Sequence, residues 1–247
     1  MALTHQQIQQ VETVLRNSLR YKFANYNPEP ASMPFHTRLL GKDRLALYSF
    51  IHSLSTNFGT SIFEPVAVAL AETRFKKAIK QNNAGLSISA GARIVIQSIM
   101  DNLTTATCKP NRKIELDLLR KASRKGKMRK VKLTKVDIWL ESKNGTYYLF
   151  DLKTAKPNFG AFKEYKRTLL EWTAAILAVN PKAKVCTFIA IPYNPYDPKP
   201  YERWTISGML DLKNELKVGK DFWDFIGGVG TYAQLLKSFE KVGIELR

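Results

Sequence analysis

Apolar positions near the start of the chain recur at helical intervals. Ile8, Val11, Leu15 and Leu19 follow Thr4 and Gln7, whose Thr-x-x-Gln spacing is that of a capping box, so a first helix is predicted there. Asn27-Pro28-Glu29-Pro30 and Met33-Pro34 break it into a loop. A second helix is expected from Lys42-Asp43 through Leu45, Leu47, Tyr48, Ile51 and Leu54, with Asn57 and Gly59 ending it. A third starts near Thr60-Ser61 and runs through Glu64 to Glu72; Pro65 fits only in its first turn, where backbone donors are unpaired anyway. Farther along, the period drops from 3.6 to 2. Residues 136–142 and 146–153 read as the arms of a β-hairpin around Lys143-Asn144-Gly145. Residues 161–179 read as an amphipathic helix stopped by Asn180-Pro181, and 184–191 as a continuous apolar strand of the kind covered on both faces. The proline-rich stretch 192–200 is a loop, 203–206 a further strand, and helices near Phe222 and over 231–242 close the chain. These elements predict the α/β class: a single domain with a mixed central β-sheet flanked by helices. Its helical N-terminal part covers about residues 1–80, its sheet core about 131–210 and its C-terminal helices about 220–243.

Composition narrows the function classes. At 247 residues with 45% apolar and 24% charged residues, the chain has globular proportions. No apolar run approaches the ~20 residues of a membrane span, and the first residues lack a basic and then apolar leader, so a cytoplasmic protein is expected. Cys108 and Cys186 form neither a disulfide framework nor a zinc spacing. The net charge is +18, and residues 109–135 hold twelve basic side chains against Glu115 and Asp117, a local excess of +10. The centre of that segment, with Arg124, Lys125, Lys127, Arg129 and Lys130, has no apolar period and reads as an exposed loop. Such a run suits the phosphates of a nucleic acid, supplying affinity but no chemistry. Arg38 and Lys42 are further phosphate-binding candidates.

Chemistry is offered by the hairpin, in Val136-Asp137-Ile138 and Asp151-Leu152-Lys153. Asp151 and Lys153, two apart on a strand, share a face. A two-residue turn would set Asp137 opposite Leu152 and place the aspartates on opposite faces. A three-residue turn with a left-handed Gly145 sets Asp137 across from Asp151. The second register pairs Val136 with Leu152, Ile138 with Phe150 and Leu140 with Tyr148, whereas the first buries charge against Ile138 and Val136. The three-residue turn is therefore expected. Two adjacent carboxylates repel unless a cation joins them, and hard oxygens suit Mg²⁺, so Asp137 and Asp151 are read as metal ligands. Lys153 is placed to orient or help deprotonate water and to offset charge on a phosphodiester.

This constellation resembles the PD-(D/E)xK nuclease superfamily, with Val136 where a proline is usual, and the resemblance implies a restriction-endonuclease-like core. An upstream acid often completes such sites, a place that Glu64 fits, with Glu72 as the alternative two turns on. The segments 34–44, 59–64, 151–158 and 218–228 together are similar to the TdeIII family of type II restriction endonucleases. That resemblance implies Mg²⁺-dependent cleavage of double-stranded DNA by a homodimer at a short palindrome, and GGNCC is the site associated with the family. Lys156 and Asn158, just past the catalytic strand, would then hold phosphates beside the scissile bond. Two other readings are compatible with the residues alone: a structure-specific repair nuclease of the same superfamily, and a basic nucleic-acid-binding protein without activity.

Overall fold

The computed structural model describes residues 3–27, 33–153, 161–201 and 204–246. Its helices are α1 (His5–Ala24), α2 (Pro34–Leu40), α3 (Lys42–Phe58), α4 (Glu64–Ala71), α5 (Ala90–Thr104), α6 (Arg112–Ala122), α7 (Phe162–Val179), α8 (Trp204–Ser207), α9 (Leu212–Glu215), α10 (Lys220–Gly227) and α11 (Thr231–Glu245). Its strands are β1 (Lys77–Asn82), β2 (Ser87–Ser89), β3 (Met128–Lys130), β4 (Val136–Glu141), β5 (Thr146–Leu152), β6 (Lys184–Ile191) and β7 (Leu216–Val218).

Among the described residues, five strands form one sheet in the order β1-β4-β5-β6-β7. The first two pairings are antiparallel and the last two parallel, so the sheet is mixed, as the sequence predicts. Strand β6 alternates its burial between two cores. Val185, Ile189 and Ile191 pack with Leu149 against Ile96, Met100, Leu169 and Trp172 of α5 and α7. Phe188 and Ala190 pack with Ile138, Leu140 and Phe150 against Val11, Val66, Leu70, Phe222 and Leu235 of α1, α4, α10 and α11. Helices therefore cover both faces, and this explains the unbroken apolar run of β6. The Thr4–Gln7 capping box is formed, with Gln7 N–H donating to the Thr4 hydroxyl and the Thr4 N–H to the Gln7 side chain.

Several expectations need correction. Pro34 opens a helix, because its fixed φ and missing N–H cost nothing at that position. Asn57 and Gly59 do not end α3: residues Gly59–Phe63 form one π-helical turn that leads directly into α4, with Glu64 N–H bonded back to Gly59 C=O. The widened turn gives the Pro65 ring the room that an α-helical carbonyl four residues back would deny it. Residues 204–207 are a helical turn where a strand was expected; residue 203 lies outside the described residues, and the edge strand is β7. The basic stretch 124–130 is not all loop, since Met128–Lys130 pair with Ser87–Ser89 in a second, two-stranded ribbon. Helices α2 and α3 are unusual in having no buried residue among those described.

Candidate active site

The hairpin brings Asp137 and Asp151 to one end of the sheet. Strands β4 and β5 pair Ile138 with Phe150, Trp139 with Leu149 and Leu140 with Tyr148, and the same register one residue on sets Asp137 across from Asp151. The turn is the three-residue one, with Gly145 at φ +78° and Ser142 N–H donating to Thr146 C=O at 2.9 Å. Asp137 Oδ2 accepts the Leu152 N–H at 2.7 Å, locking the carboxylate to the neighbouring strand. Lys153 Nζ lies 2.6 Å from Asp151 Oδ1 and 4.7 Å from the centre of the Tyr165 ring at the start of α7.

Electrostatics follow from this crowding. Burial pushes the Asp151 carboxyl up to about 7; Lys153 opposes the rise, and the charge and hydrogen bond of Asp137 add to it. Glu64 approaches from the first residue of α4 and is also buried. Burial raises its affinity for a proton, a hydrogen bond from Gln81 lowers it, and the charge of Asp137 raises it again. Gln81 Nε2 stands 3.0 Å from both Glu64 oxygens and 3.0 Å from Asp137 Oδ1, joining the two acids. Glu72 is exposed and accepts a hydrogen bond from Gln10, so the helix presents Glu64 and not Glu72 to this cluster. A cavity of about 710 Å³ opens onto Glu64, Asp137 and Lys153, with Phe58, Phe63 and Trp223 among its apolar walls.

A model of the family described as type II restriction endonuclease, HinfI, matches residues 3–243. The chain belongs to that family. Its similarity extends to individual proteins. The type II restriction enzyme HgiCII of Herpetosiphon aurantiacus is 26% identical over 85% of this chain and 77% of its own length. MjaII of Methanocaldococcus jannaschii is 26% identical, over 92% of this chain and 68% of its own. HgiBI of Herpetosiphon aurantiacus is 27% identical, over 96% and 88%. The protein is thus a type II restriction endonuclease, a site-specific enzyme that acts on double-stranded DNA. The matching family is HinfI; the match does not show the expected TdeIII family.

The remaining candidates of this endonuclease are placed unevenly. Lys125, Lys127, Arg129 and Lys130 are exposed, and Arg129 and Lys130 line a cleft of about 690 Å³ with Lys132, Arg93 and Arg167. Arg93 and Arg167 come from α5 and α7, outside the basic segment, and only the tertiary fold reveals them. Arg124 differs from its neighbours: its guanidinium donates to the Val179 carbonyl at 2.9 Å, at the end of α7 opposite to Tyr165. Arg38 and Lys42 are exposed on α2 and at the start of α3, and about 30 Å of helix separates Lys42 from Glu64. The structure does not bring them to the carboxylates. Lys156 and Asn158 lie outside the described residues. No described helix is long and apolar enough to cross a membrane.

Proposed function

We propose that this endonuclease hydrolyses phosphodiester bonds in both DNA strands with Mg²⁺, at a GGNCC palindrome, as a cytoplasmic homodimer whose chain is one catalytic unit with a PD-(D/E)xK core. The observation that carries the reading is the meeting of Asp137, Asp151, Lys153 and Glu64 at one end of the sheet, where Glu64, Asp137 and Lys153 line a cavity and Asp151 is buried beside them. The element order there, from helix α4 through strands β1, β4 and β5 to helix α7 and strand β6, sets the acid helix and the two-aspartate hairpin side by side.

The donor set suits the metal. Among the described residues no group of three or more His, Cys, Asp or Glu side chains is gathered closely enough to form a closed site. Mg²⁺ does not need one: it is commonly held by one or two carboxylates and completes its shell with water and substrate phosphate. Burial holds the Asp151 carboxyl up at about 7, with Asp137 adding to the rise and Lys153 opposing it, so a further cation would favour the charged form of both aspartates. Asp137 and Asp151 would hold the ion, which supplies Lewis acidity toward the phosphate and a more acidic bound water. Lys153, steadied between Asp151 and the Tyr165 ring, would orient the attacking water and offset charge building on the phosphate oxygens. Glu64 would accept a proton or hydrogen bond from the water on the far side of Asp137. The GGNCC assignment rests on the resemblance to the TdeIII family.

The homodimer has a surface to use. Phe35 and Leu39 of α2 are 76% and 82% exposed, and Leu47, Tyr48 and Ile51 of α3 more than half exposed. Leu40 of α2 and Tyr21 of α1 are exposed apolar residues too, and a standard interface takes about 800 Å² from each partner. Neither helix buries a residue among those described, so the exposed face fits a second copy of the same helices packed across a two-fold axis.

Digesting plasmid DNA with Mg²⁺ or with EDTA, and sequencing the ends, tests the whole proposal. Discrete fragments with ends at GGNCC, formed only with the metal, are expected. Fragments in EDTA, or ends at an unrelated sequence, would remove the metal or the site assignment respectively.

A further inference from the structure

Gln81 is the residue in this cluster that neither motif nor spacing marks. It is the fifth residue of β1, the edge strand, and its backbone holds φ +55°, a left-handed conformation that costs a non-glycine residue free energy. The β1–β4 register pairs Lys80 with Ile138 and Asn82 with Val136, which sets Gln81 beside Asp137. From that position one amide nitrogen reaches three carboxylate oxygens at 3.0 Å, two on Glu64 and one on Asp137.

The arrangement is not a general feature of the strand. An amide NH₂ has two hydrogens, so three acceptors share them, and no acceptor capacity of Glu64 is met by any other described hydrogen-bond donor. Lys80 adds only a charge at longer range. Without the amide, Glu64 and Asp137 are like charges facing each other in a partly buried site, and the free choice of Glu64 is to turn away. The strained backbone is tolerated where the side chain it aims has a task that a relaxed backbone would not perform.

We propose that Gln81 is a positioning residue, whose amide clamps Glu64 to Asp137 and so presents the acids in a fixed array to the divalent ion. This rests on the metal-dependent reading given above. The clamp is neutral, so it restrains two anions without competing for the ion as a lysine would. It acts before the metal arrives, and its effect belongs to metal affinity and to the placing of Glu64 rather than to DNA affinity. Partners that orient metal-binding carboxylates in this way are commonly worth 10–100-fold in metal affinity or activity.

The test compares full-length Gln81→Met and Gln81→Gly with the wild type. Met keeps the side-chain length without a donor; Gly removes the side chain and relieves the backbone at φ +55°, so the pair separates the amide from the strain. Binding of Mn²⁺ alone is measured by titration calorimetry, DNA affinity in EDTA by fluorescence anisotropy, and thermal melting in EDTA. Both variants are expected to bind Mn²⁺ about 10–100-fold more weakly, with DNA affinity in EDTA unchanged and with Gly melting no lower than the wild type. The Mg²⁺ concentration for half-maximal cleavage should rise by a similar factor. Wild-type Mn²⁺ affinity in both variants would overturn the clamp alone. Melting temperature and DNA affinity falling in step with Mn²⁺ affinity would assign Gln81 to the fold and overturn it too. A wild type that cleaves normally but binds no divalent ion would overturn the metal reading first, and the clamp with it.

Discussion

Lys153 and Asp151 form an ion pair at 2.6 Å in which the aspartate side chain is almost wholly buried and the lysine side chain about three-quarters buried. Each therefore depends on the other. Lys153 is the cation that moderates the rise in Asp151 proton affinity, and replacing it by Met leaves burial and Asp137 to raise it further. Cleavage by Lys153→Met should fall about 10²–10³-fold, the size of losing a charged transition-state partner. What distinguishes the explanation from simple loss of a group is the pH profile of the remaining activity. Its acidic limb should move to higher pH, because Asp151 then gives up its proton later. Single-turnover cleavage across pH 6–9 measures this.

Asp151 also carries a stability prediction. Its native carboxyl, at about 7, binds a proton more tightly than the unfolded chain does, so the metal-free native state binds more protons than the unfolded one. Stability in EDTA should fall as pH rises from about 4 toward 7, with the full penalty present above 7. Asp151→Asn cannot ionise and escapes that penalty. The variant should be inactive yet melt higher than the wild type at pH 8, by on the order of 1–3 kcal/mol of stability, and the gain should shrink toward pH 5. Scanning calorimetry in EDTA at both pH values would show it.

Much of this site was legible because the hairpin obeys two local rules at once. The turn residues Lys143-Asn144-Gly145 allow two registers, the period-2 run of Val136, Ile138 and Leu140 selects the three-residue one, and that register alone sets Asp137 beside Asp151. Strand β6 was legible for a similar reason, as an apolar run buried on both sides. Strand β1 was not: Lys77-Ala-Ile-Lys-Gln-Asn is short, polar and on an edge, and takes its structure from pairing with β4. Gln81 went unseen with it, since no local signal announces a residue whose importance comes from a pairing more than 50 positions away. Helix α5 did carry a readable signal, with Ser89 as its cap and Ala92, Ile96, Ile99 and Leu103 at helical spacing. The break expected at Asn57 and Gly59 failed because a π turn absorbs Pro65, an outcome that residue types alone do not encode.

A second buried ion cluster lies away from the carboxylates. Lys166 on α7 is wholly buried, 2.5 Å from Glu115 of α6 and 2.6 Å from Glu215 of α9. Burial raises the proton affinity of Glu215, and Lys166 is the first of the groups that oppose it. Lys166→Met would strand two buried carboxylates and should cost about 3–5 kcal/mol. Double replacement of Glu115 and Glu215 by Gln in the same chain should recover part of that loss. Urea unfolding of the three proteins would measure it; a single variant as stable as the wild type would show that the cluster contributes nothing.

The exposed face of α2 and α3 predicts its own outcome. Leu47→Glu together with Ile51→Glu puts charges at two positions that are more than half exposed, on a helix with no buried residue among those described, so the monomer should keep its melting behaviour. If that stripe joins two copies, the variant should sediment as a monomer where the wild type sediments as a dimer. Cleavage of the two strands should then become uncoupled, with nicked circles accumulating before linear DNA. A variant that stays dimeric would place the interface elsewhere.

The basic segment divides into residues that face a cleft and one that faces the protein. Arg129 and Lys130 line the cleft with Lys132, Arg93 and Arg167, whereas the Arg124 guanidinium is engaged with the Val179 carbonyl. Phosphate contacts release counterions, and each contributes about 0.9 to the slope of log affinity against log salt. Arg129→Ala with Lys130→Ala should therefore lower that slope by about 2 and weaken binding to specific and random duplexes alike. Arg124→Ala should leave the slope unchanged and instead lower stability modestly, by freeing a carbonyl at the C-terminal end of α7. Anisotropy titrations in EDTA at several KCl concentrations separate the two. Equal slopes for all three proteins would mean that DNA does not enter this cleft, and that the charge of the segment acts only at a distance.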